Sequence, residues 1–588
     1  MSELSNSDNC FHLANAWLDQ CVGKNRDPNC IRGCHESDDA CTSPTNSAVD
    51  GDVQRESFFP TRTIDVGPAD GSCEPYLKEN MKEQNSSLPA AWVTLSHCWS
   101  GSSPLKTTLA VLEERKTSMP LDQMPQTFRD AITITRKMGI RHLWIDSLCI
   151  IQDSAEDWKR EASQMGKIYK YGILNIAANT SSGCHAGIFT RRENWSTPVS
   201  LPLHSTKQNI SGQMYVRLGR WDNYRPGIMG ADSTLSSRGW VLQESVLSPR
   251  TLHYSRQQIF WECEHLTLAE ASIIPVVEKG PSAWISKHQW VSNKMVLPSE
   301  ITEPSRPSDL DRRADVHFAW RKIVENYTSR KLTFPSDVFA ALGGIATAFR
   351  VQLGDRYLAG LFEGDFLVSL LWRSVDPDLA QRRLSPSAPS WSWASTIGPV
   401  KHEIALNSNG VAPQIMGNCT ARIVEANTSS NDESTDLTAV KSGYIVIEGQ
   451  LLQQGDDLRN LCYIRDDAQK FPENSKTIPN FEAYRYGKFL LDTKETLIGD
   501  SKKRLAILHI GIWEWWFRGL PGAGTSWFHR RFAGLLLRAT DDTGMKYERV
   551  GVVTKEVQYV NVTVDSMFQP EDEHFLQTGW ERKTVTIV

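Results

Sequence analysis

Three short apolar segments that alternate with helical patterns constrain the fold of this chain more than any other feature. Ala91–Leu95, His142–Ile145 and Ile173–Ala178 each have the length and composition of a buried strand. Phe128–Met138, between the first two, carries apolar side chains at helical spacing and ends before Gly139. Alternating strands and helices are typical of a mostly parallel sheet covered by helices. The sequence therefore predicts an α/β domain here.

Two more helices are predicted in the same block. Leu105–Arg115 is predicted to be helical. Ser154-x-x-Asp157 resembles a capping box, with Asp where the third helical position usually has Glu. The helix that it opens is predicted to end at Gly172 and to bury one apolar stripe, which consists of Trp158, Ala162, Met165 and Tyr169.

Changes in composition and in hydrophobic pattern along the chain predict four regions. Residues 1–89 are polar, cysteine-bearing and irregular, with one short helix near Phe11–Leu18, and residues 90–262 hold the α/β domain. Residues 263–395 are predicted to be mainly helical and to end in a linker that begins at Ser385. Residues 396–588 are predicted to be β-rich, with strands at Tyr444–Gly449, Arg504–Glu514, Phe532–Arg538, Tyr547–Thr554 and Thr584–Val588.

Composition excludes several classes of protein. The 588 residues are too many for one core, and the 20 tryptophans predict several small cores with large aromatic fillers. A net charge of -5 without a long basic run argues against a dedicated nucleic-acid binder. The longest apolar stretches are far too short to span a membrane, and the first residues do not resemble a signal peptide. We therefore expect a cytoplasmic protein with reduced cysteines.

Polar side chains follow the first two predicted strands. Ser96, His97 and Cys98 leave the first strand, and Asp146 directly follows the second. If these strands are parallel neighbours, the groups face one crevice, which is where open α/β sheets bind ligands. The alternatives are that Asp146 caps a turn and that His97 is a packed or an exposed side chain.

Glu161 lies one helical turn after Trp158, so both are expected on the same side of their helix. Aromatic surface beside a carboxylate raises its pKa by desolvation, which suits acid–base work or stabilisation of a cation. The alternative is a solvated Glu161 beside Lys159 and Arg160 on an exposed face.

A cluster of charged and polar residues flanks Trp240 in the sequence. Its members are Arg238, Gln243, Glu244 and Arg250. The arginines are suited to bind phosphate, and the same residues are suited to an internal ion-pair clasp. The clasp is favoured for Glu244 and Arg250, and both interpretations remain open for Arg238.

The cysteines do not predict a metal centre. Cys21, Cys30, Cys34, His35 and Cys41 form a loose set whose spacing matches no paired Cys-x-x-Cys pattern. Cys149 lies in an apolar run, which favours an inert buried thiol over a nucleophile.

The ordered motifs resemble the fungal heterokaryon-incompatibility (HET) domain. The similar segments are Leu95–Trp99, Pro125–Ala131, Leu143–Asp153, Met165–Tyr169 and Arg238–Glu244. Two positions depart from the family pattern: His97 stands where Tyr is usual, and Ser100 separates Trp99 from Gly101. Later segments resemble the tails of many such fungal proteins: Tyr357–Leu361, Ala388–Ser395 and Thr584–Val588.

This resemblance implies a role in fungal allorecognition and in the programmed cell death that follows incompatible fusion. The family is considered distantly similar to Toll/interleukin-receptor (TIR) domains, which implies a TIR-like, flavodoxin-like and mostly parallel sheet. Some TIR domains cleave NAD with a Glu in Trp-x-x-Glu, a pattern that Trp158 and Glu161 fit. The resemblance thus implies NAD as substrate without a resident cofactor or metal. It makes Glu161 catalytic, and the expected substrate-binding residues are Ser96, Trp99, Asp146, Trp158 and Arg238.

Two functions stay open on the sequence. The first is an incompatibility effector that triggers death or growth arrest, with NAD glycohydrolase activity as its implied chemistry. The second is a non-catalytic interaction or regulatory module, including one accessory to a metabolic pathway. Both predict a protein partner or self-association.

Overall fold

In the computed structural model of the chain, the described residues fall into two compact units. The first comprises 1–303 with 340–348, and the second 304–339 with 349–588. The residues described within them are 3–22, 58–80, 91–99, 105–192, 199–205, 210–216, 233–263, 267–270, 309–383, 388–402, 418–429, 440, 442–454, 488–493, 505–518, 526–541, 543–560 and 580–588.

The first unit is an α/β structure, as the sequence predicts. Its strands are β1 (Arg62–Asp65), β2 (Tyr76–Glu79), β3 (Trp92–Ser96), β4 (His142–Trp144), β5 (Leu174–Ala178), β6 (Val199–Ser205), β7 (Ile210–Val216), β8 (Arg250–Tyr254), β9 (Ile259–Cys263) and β10 (Thr267–Ala269). Its helices are α1 (Asp8–Val22), α2 (Leu112–Thr117), α3 (Gln126–Lys137), α4 (Asp146–Cys149), α5 (Ala155–Tyr171) and α6 (Gly239–Leu247).

Eight of these strands form one sheet in the order β10-β9-β8-β5-β3-β4-β1-β2. The central four strands, β8, β5, β3 and β4, are parallel to one another, whereas β1, β2, β9 and β10 pair antiparallel. The prediction of a mostly parallel sheet is therefore right for the centre and wrong for the flanks, because the whole sheet is mixed. Across the sheet from β4 to β8, the parallel strands are the second, first, third and fourth in chain order, and the connection from β4 to β5 passes over β3.

The flanking strands β1 and β2 lie in the region that was predicted to be irregular. β1 and β2 lie within residues 1–89 and join the sheet beside β4. Each strand has four residues, two of them charged, and the charged side chains of Arg62 and Asp65 are buried. A buried charged strand has no apolar run, so the sequence pattern did not reveal it. The predicted N-terminal helix is confirmed as α1.

The helix predicted from Leu105 begins later than expected. A single 3-10 turn at Leu109–Val111 precedes α2, which starts at Leu112. Thr107 is extended instead, because its N–H donates to the Ser147 carbonyl over 3.0 Å and its hydroxyl donates to the Leu148 carbonyl over 2.6 Å. These tertiary hydrogen bonds replace the first helical turn.

Helix α5 confirms the predicted cap and end, but its buried face differs from the prediction. The Ser154 hydroxyl accepts a 3.2 Å hydrogen bond from the Asp157 N–H, and Gly172 follows the last turn. Trp158 is exposed, so the predicted stripe is wrong at its first position. The buried residues of α5 are Asp157, Glu161, Met165, Ile168 and Tyr169. The buried face differs from the predicted stripe because Arg62 on β1 pairs with the carboxylates of Asp157 and Glu161.

The second unit begins with helices and continues in strands. Its helices are α7 (Asp309–Thr328), α8 (Gly343–Leu353, whose residues up to 348 belong to the first unit) and α9 (Phe366–Ser369). Its strands are β11 (Tyr357–Leu358), β12 (Leu361–Phe362), β13 (Trp372–Ser374), β14 (Gln381–Arg382), β15 (Thr396–Ile397), β16 (Val400–His402), β17 (Asn418–Cys419), β18 (Arg422–Ser429), β19 (Ser442–Gln454), β20 (Lys488–Leu491), β21 (Leu505–Arg518), β22 (Ser526–Ala539), β23 (Lys546–Val560) and β24 (Trp580–Ile587). The region predicted as mainly helical up to residue 395 thus changes to short strands after Leu353.

The predicted β-rich C-terminal region is confirmed, and its sheet closes on itself. β21 pairs with β22, β22 with β23, β23 with β24, and β24 with β19. The β19–β21 pairing completes the ring, and one cluster of buried apolar side chains packs on its strands. That cluster consists of Leu452, Leu505, Ile507, Leu536, Val550 and Val553. None of the helices in the described ranges has both the length and the hydropathy needed to cross a bilayer.

A fully buried ion pair anchors the second unit. Arg549 on β23 donates to the Asp492 carboxylate over 2.5 Å, and neither side chain is exposed. Its guanidinium carbon lies 3.6 Å from the centre of the Trp372 ring, and it also donates to the Trp372 carbonyl. Burial raises the pKa of Asp492, whereas Arg549 opposes that rise. The pair therefore joins β23, β13 and the end of β20.

Arg549→Met is expected to lower the free energy of unfolding by about 3 to 5 kcal/mol, because it leaves the Asp492 carboxylate in a buried site without its closest cation. Urea unfolding of the full chain measures the change. Arg422→Met is the matched control, because Arg422 forms an exposed ion pair with Glu448 and its loss should change stability little. Equal effects of the two substitutions would contradict the anchoring role of Arg549.

Candidate functional site

The carboxyl ends of the central parallel strands bring several polar residues together. Ser96 ends β3, His97 follows it, and Asp146 lies two residues after β4. Because β3 and β4 are parallel neighbours, the predicted convergence of these groups occurs. The distance from the His97 Nδ1 to the Asp146 Oδ1 is 3.9 Å. These groups define a site at the sheet edge where open α/β folds bind ligands.

Asp146 is the partly exposed carboxylate of this site. Its side chain is 19% exposed, and its Oδ2 accepts a 2.9 Å hydrogen bond from the Trp99 indole N–H. Its Oδ1 accepts from the Ser147 N–H over 2.7 Å at the start of α4. The Lys106 ammonium lies 5.6 Å from the centre of the Trp99 ring. Asp146 is thus the first residue of α4, whose N-cap is Ile145, so the interpretation that Asp146 caps the turn is wrong. Its carboxylate is partly exposed to solvent.

His97 is a buried neutral imidazole next to Asp146. Burial lowers the pKa of His97 to about 4, the Arg238 charge contributes in the same direction, and Asp146 opposes it. The ring packs edge-on against Phe128 with centroids 5.1 Å apart. Among the described residues its Nε2 has no hydrogen-bond partner. His97 is therefore a packed side chain with one uncommitted ring nitrogen.

Glu244 is a second carboxyl of the site and is buried. Burial raises the pKa of Glu244 to about 7, whereas Arg238 and a hydrogen bond with Ser96 oppose the rise. Tyr169 also hydrogen-bonds Glu244, and Asp146 adds like-charge repulsion. Asp146 and Glu244 thus sit in different environments, one partly hydrated and one desolvated. Such a difference separates the protonation states of two carboxyls.

Ser96 belongs to a buried hydrogen-bond network rather than to an open surface. Its hydroxyl lies 3.2 Å from the Asn175 Oδ1 and accepts from the Asn175 Nδ2 over 3.1 Å. The Thr94 hydroxyl also donates to the Asn175 Oδ1 over 3.1 Å, and the Tyr169 hydroxyl donates to the Leu95 carbonyl over 3.3 Å. This network connects β3, β5 and α5. A direct substrate contact by Ser96 therefore stays a prediction.

The polar residues in and around α6 place a charged arginine near the site and connect α6 to neighbouring elements. Arg238 is half-buried and donates to the His97 carbonyl, which joins the start of α6 to the end of β3. Arg250 donates its Nε to the Cys21 sulfur over 3.1 Å and its Nη1 to the Ile173 carbonyl over 3.4 Å. Gln243 accepts a 2.7 Å hydrogen bond from the Gly344 N–H at the start of α8.

Glu161 lies in a separate buried cluster behind α4. Its Oε1 is 3.7 Å from the Arg62 Nη2 and 3.3 Å from the Arg160 Nε. Arg62 also donates to Asp157 over 2.5 Å and to the Cys149 carbonyl over 2.7 Å. Burial raises the pKa of Glu161, partly offset by a hydrogen bond with Thr61 and by Arg62. The alternative of a solvated Glu161 is wrong, because its side chain has no exposed surface.

Trp158 and Glu161 do not share an environment. Trp158 is 39% exposed, whereas Glu161 is buried against β1. The expectation that both look toward one side of the helix is wrong, because Arg62 binds the carboxylates and thereby sets the rotation of α5. Burial of Glu161 against the sheet raises its pKa. The expected direction of the shift is right, but its cause is this burial and not the neighbouring surface of Trp158.

Most thiols of the described residues are buried, and Cys73 and Cys419 are exposed. Burial raises the pKa of Cys149 to about 12, which agrees with the predicted inert thiol. Of the loose Cys–His set, Cys21 is buried against Arg250, and Cys30, Cys34, His35 and Cys41 lie outside the described residues, as do Ser100 and Gly101. Within the described ranges, no group of three His, Cys, Asp or Glu side chains is arranged to hold a metal ion.

Sequence reasoning missed Arg62, Asn175 and Lys106 as members of these clusters. Arg62 lies 84 residues before Asp146 on a strand with no sequence signal, and Asn175 interrupts an otherwise apolar strand. A polar residue inside a buried strand was the one available signal, because such a side chain requires a hydrogen-bond partner. Lys106 follows residues outside the described part of the chain, in a stretch predicted as helix.

The arrangement defines an α/β domain with a two-carboxyl site at the edge of its parallel strands. Asp146, beside the Trp99 indole, is suited to bind or stabilise positive charge, and Glu244 is suited to hold a proton near neutral pH. Residues 92–244, about a quarter of the chain, match the family model described as heterokaryon incompatibility protein (HET). The chain therefore carries a HET domain. No curated protein and no solved structure matches the chain.

Glu244→Gln is expected to change how stability depends on pH. The pKa of Glu244 is about 7 in the folded chain and about 4.5 when unfolded, so its favourable contribution is complete below pH 4.5 and disappears as the pH rises through 7. Relative to wild type, the variant should therefore gain about 3 kcal/mol in the free energy of unfolding between pH 4.5 and pH 8.

Urea unfolding of both proteins at the two pH values measures this difference. Every other titrating group cancels, because it is present in both proteins, and the lost hydrogen bonds affect both pH values. A stability difference that is the same at pH 4.5 and pH 8 would show that Glu244 does not titrate in this range.

Proposed function

We propose that this protein is a heterokaryon-incompatibility effector that triggers cell death or growth arrest after non-self recognition, and that its HET domain acts by hydrolysing NAD. The observation that carries the chemistry is the Asp146 carboxylate, which is partly exposed at the carboxyl edge of parallel strands and oriented by Trp99. The effector acts in the cytoplasm, where NAD is present, and responds to a protein partner or to its own clustering.

The topology supports a nucleotide substrate. The parallel strands β3, β4, β5 and β8 stand in the order second, first, third, fourth, which is the order of the first four strands in flavodoxin-like sheets. That order, and the distant TIR similarity of the family, are the basis for proposing a flavodoxin-like, TIR-like domain. In such sheets, ligands bind outside the carboxyl ends of the strands, where the chain reverses its direction of progress.

The proposed reaction requires a negatively charged carboxylate beside the ribose and does not require an acid that protonates the leaving group. The bond between the nicotinamide nitrogen and the ribose breaks, its electron pair leaves with the nitrogen, and nicotinamide departs uncharged. The ribose carbon gains oxocarbenium character, which Asp146 stabilises electrostatically. Water adds to that carbon and loses one proton, which yields ADP-ribose. Arg238 provides a cation beside the site for the pyrophosphate.

Under this proposal, Glu161 is a positioning residue. Arg62 binds Glu161 and Asp157 on α5 and the Cys149 carbonyl at the end of α4, and Asp146 begins α4. Glu161 therefore helps to hold the short helix that presents Asp146. The alternative, in which Glu161 contacts the ribose as the Trp-x-x-Glu resemblance implies, requires substrate to reach a carboxylate with no exposed surface.

A non-catalytic interaction or regulatory module is the second candidate function. The observation that favours it is an apolar cluster between the ends of β3 and β5, formed by Cys98, Ala177, Leu235 and Val241. These four side chains are all buried. A module of this kind, including one accessory to a metabolic pathway, would use the HET domain for assembly alone.

NAD consumption by the purified full chain, with nicotinamide release as readout, tests the proposal. Asp146→Asn is expected to lower the turnover number by about a hundredfold or more, because it removes the charge that stabilises the transition state. Glu161→Gln is expected to lower it less. Glu156→Gln is the matched control, because Glu156 is exposed in the first turn of the same helix and should leave turnover unchanged.

The outcomes separate the candidates. If Glu161→Gln abolishes turnover, with an unchanged melting temperature, while Asp146→Asn does not, the catalytic role belongs to Glu161. Absence of turnover in the wild-type chain, including when clustering is forced by a fused oligomerising tag, would reject the enzyme and favour the interaction module.

A further inference from the structure

A separate two-stranded hairpin lies between β5 and α6 in the chain. Its strands β6 and β7 pair antiparallel over their whole length, from Val199 opposite Val216 to Ser205 opposite Ile210. They form a sheet of their own and pair with no other described strand. In both strands, every residue whose burial is described is exposed, so the hairpin is in water on both faces.

The two faces of the hairpin differ in chemistry. Successive side chains of a strand point to opposite faces, so alternate residues and their cross-strand partners share a face. One face carries five apolar side chains that are between 40% and 63% exposed: Val199, Leu201, Leu203, Met214 and Val216. The other face is polar and internally hydrogen-bonded, with His204 bonded to Ser211 over 3.1 Å and Ser200 bonded to Gln213.

An apolar face of this kind is unfavourable in water. An isolated two-stranded hairpin is at best marginally stable, and contiguous exposed apolar surface marks interaction sites. Two hydrogen bonds already pair polar side chains of the other face within the hairpin, so the apolar face is where binding would add stability. Burial of that face gives the hairpin the apolar contacts that it lacks in the monomer.

Charge identifies what this face would bind. Neither strand contains Asp, Glu, Lys or Arg. A membrane surface selects segments with lysines and arginines beside their apolar face, and recognition of a different protein commonly uses complementary charges. A second copy of the same face carries no like charges that would repel it and needs no complementary charges. A twofold axis lets two identical patches pack together.

The contact is between side chains rather than between strand edges. Pro202 lies at the centre of β6 and has no N–H to donate, which disfavours addition of another strand at the outer edge of β6. Leu201 and Met214 are directly opposite each other at the middle of the apolar face. They would lie at the centre of the contact, where burial is most complete.

We propose that the apolar face of the β6–β7 hairpin is a self-association surface that packs against the same face of a second copy of this chain. Each strand has seven residues, so the face is about 23 Å long, and its area is on the order of a few hundred Å². Stable dimers bury about 800 Å² per partner. The association is therefore weak and depends on concentration, which suits a domain that assembles when it is clustered. This inference does not depend on NAD hydrolysis.

Sedimentation velocity of the full chain over a range of concentrations tests the proposal. Wild type should associate reversibly as its concentration rises. Leu201→Glu with Met214→Glu should raise the dissociation constant at least about tenfold, because each copy loses buried apolar side chains and gains like charges. Ser200→Glu with Gln213→Glu is the matched control, because it places the same charges on the polar face and should leave association unchanged.

Cysteine cross-linking provides a second test that adds no charge. Under oxidation, Leu201→Cys should form a disulfide-linked dimer much faster than Ser200→Cys, which places the thiol on the opposite face of the same strand. The proposal is overturned if wild type stays monomeric at every concentration, if the glutamates on the apolar face leave association unchanged, or if the two cysteine variants cross-link equally. Binding of monomeric chain to neutral or anionic phospholipid vesicles, lost in the apolar-face variant, would instead assign the face to a membrane.

Discussion

The buried contact between Arg62 and Asp157 is the interaction on which the arrangement of the HET domain depends. Two carboxylates of α5 face the sheet, and a buried charge is tolerated only with a close partner. Arg62 supplies that partner and also binds the last carbonyl of α4. One guanidinium on a four-residue strand therefore sets the rotation of α5. That rotation leaves Trp158 exposed and brings Tyr169 to the end of β3.

The strand-edge site follows from that arrangement through its two carboxyls. Asp146 remains partly hydrated at the start of α4, whereas Glu244 is enclosed by Tyr169, Ser96 and Arg238. The site therefore combines an accessible carboxylate, Asp146, with a buried carboxyl, Glu244. His97 lies beside them and packs against Phe128. The same enclosure that raises the pKa of Glu244 also fills much of the strand edge. Catalysis and assembly are thus alternative uses of one architecture, distinguished by whether a substrate reaches Asp146.

Much of the fold and part of the site could be predicted from local signals. Three of the four parallel strands, β3, β4 and β5, were predicted because each is a short apolar run, whereas β8 was not predicted. The start of α5 was predicted because Ser154 and Asp157 have the spacing of a cap. The convergence of His97 with Asp146 followed from the carboxyl ends of neighbouring parallel strands. The burial of Glu161 could not be predicted, because its counter-ion is 99 residues away on a strand without an apolar pattern.

The sequence by itself determined the alternation of strands and helices, the β-rich C-terminal region and the HET motifs, because these depend on spacing and residue type within short segments. Only the tertiary structure decided the antiparallel flanks of the sheet, the partners of each charge and the exposure of the β6–β7 face. Those properties depend on which distant segments meet. The energy of a buried charge or an exposed apolar side chain is set by its three-dimensional neighbours, which the local pattern does not contain.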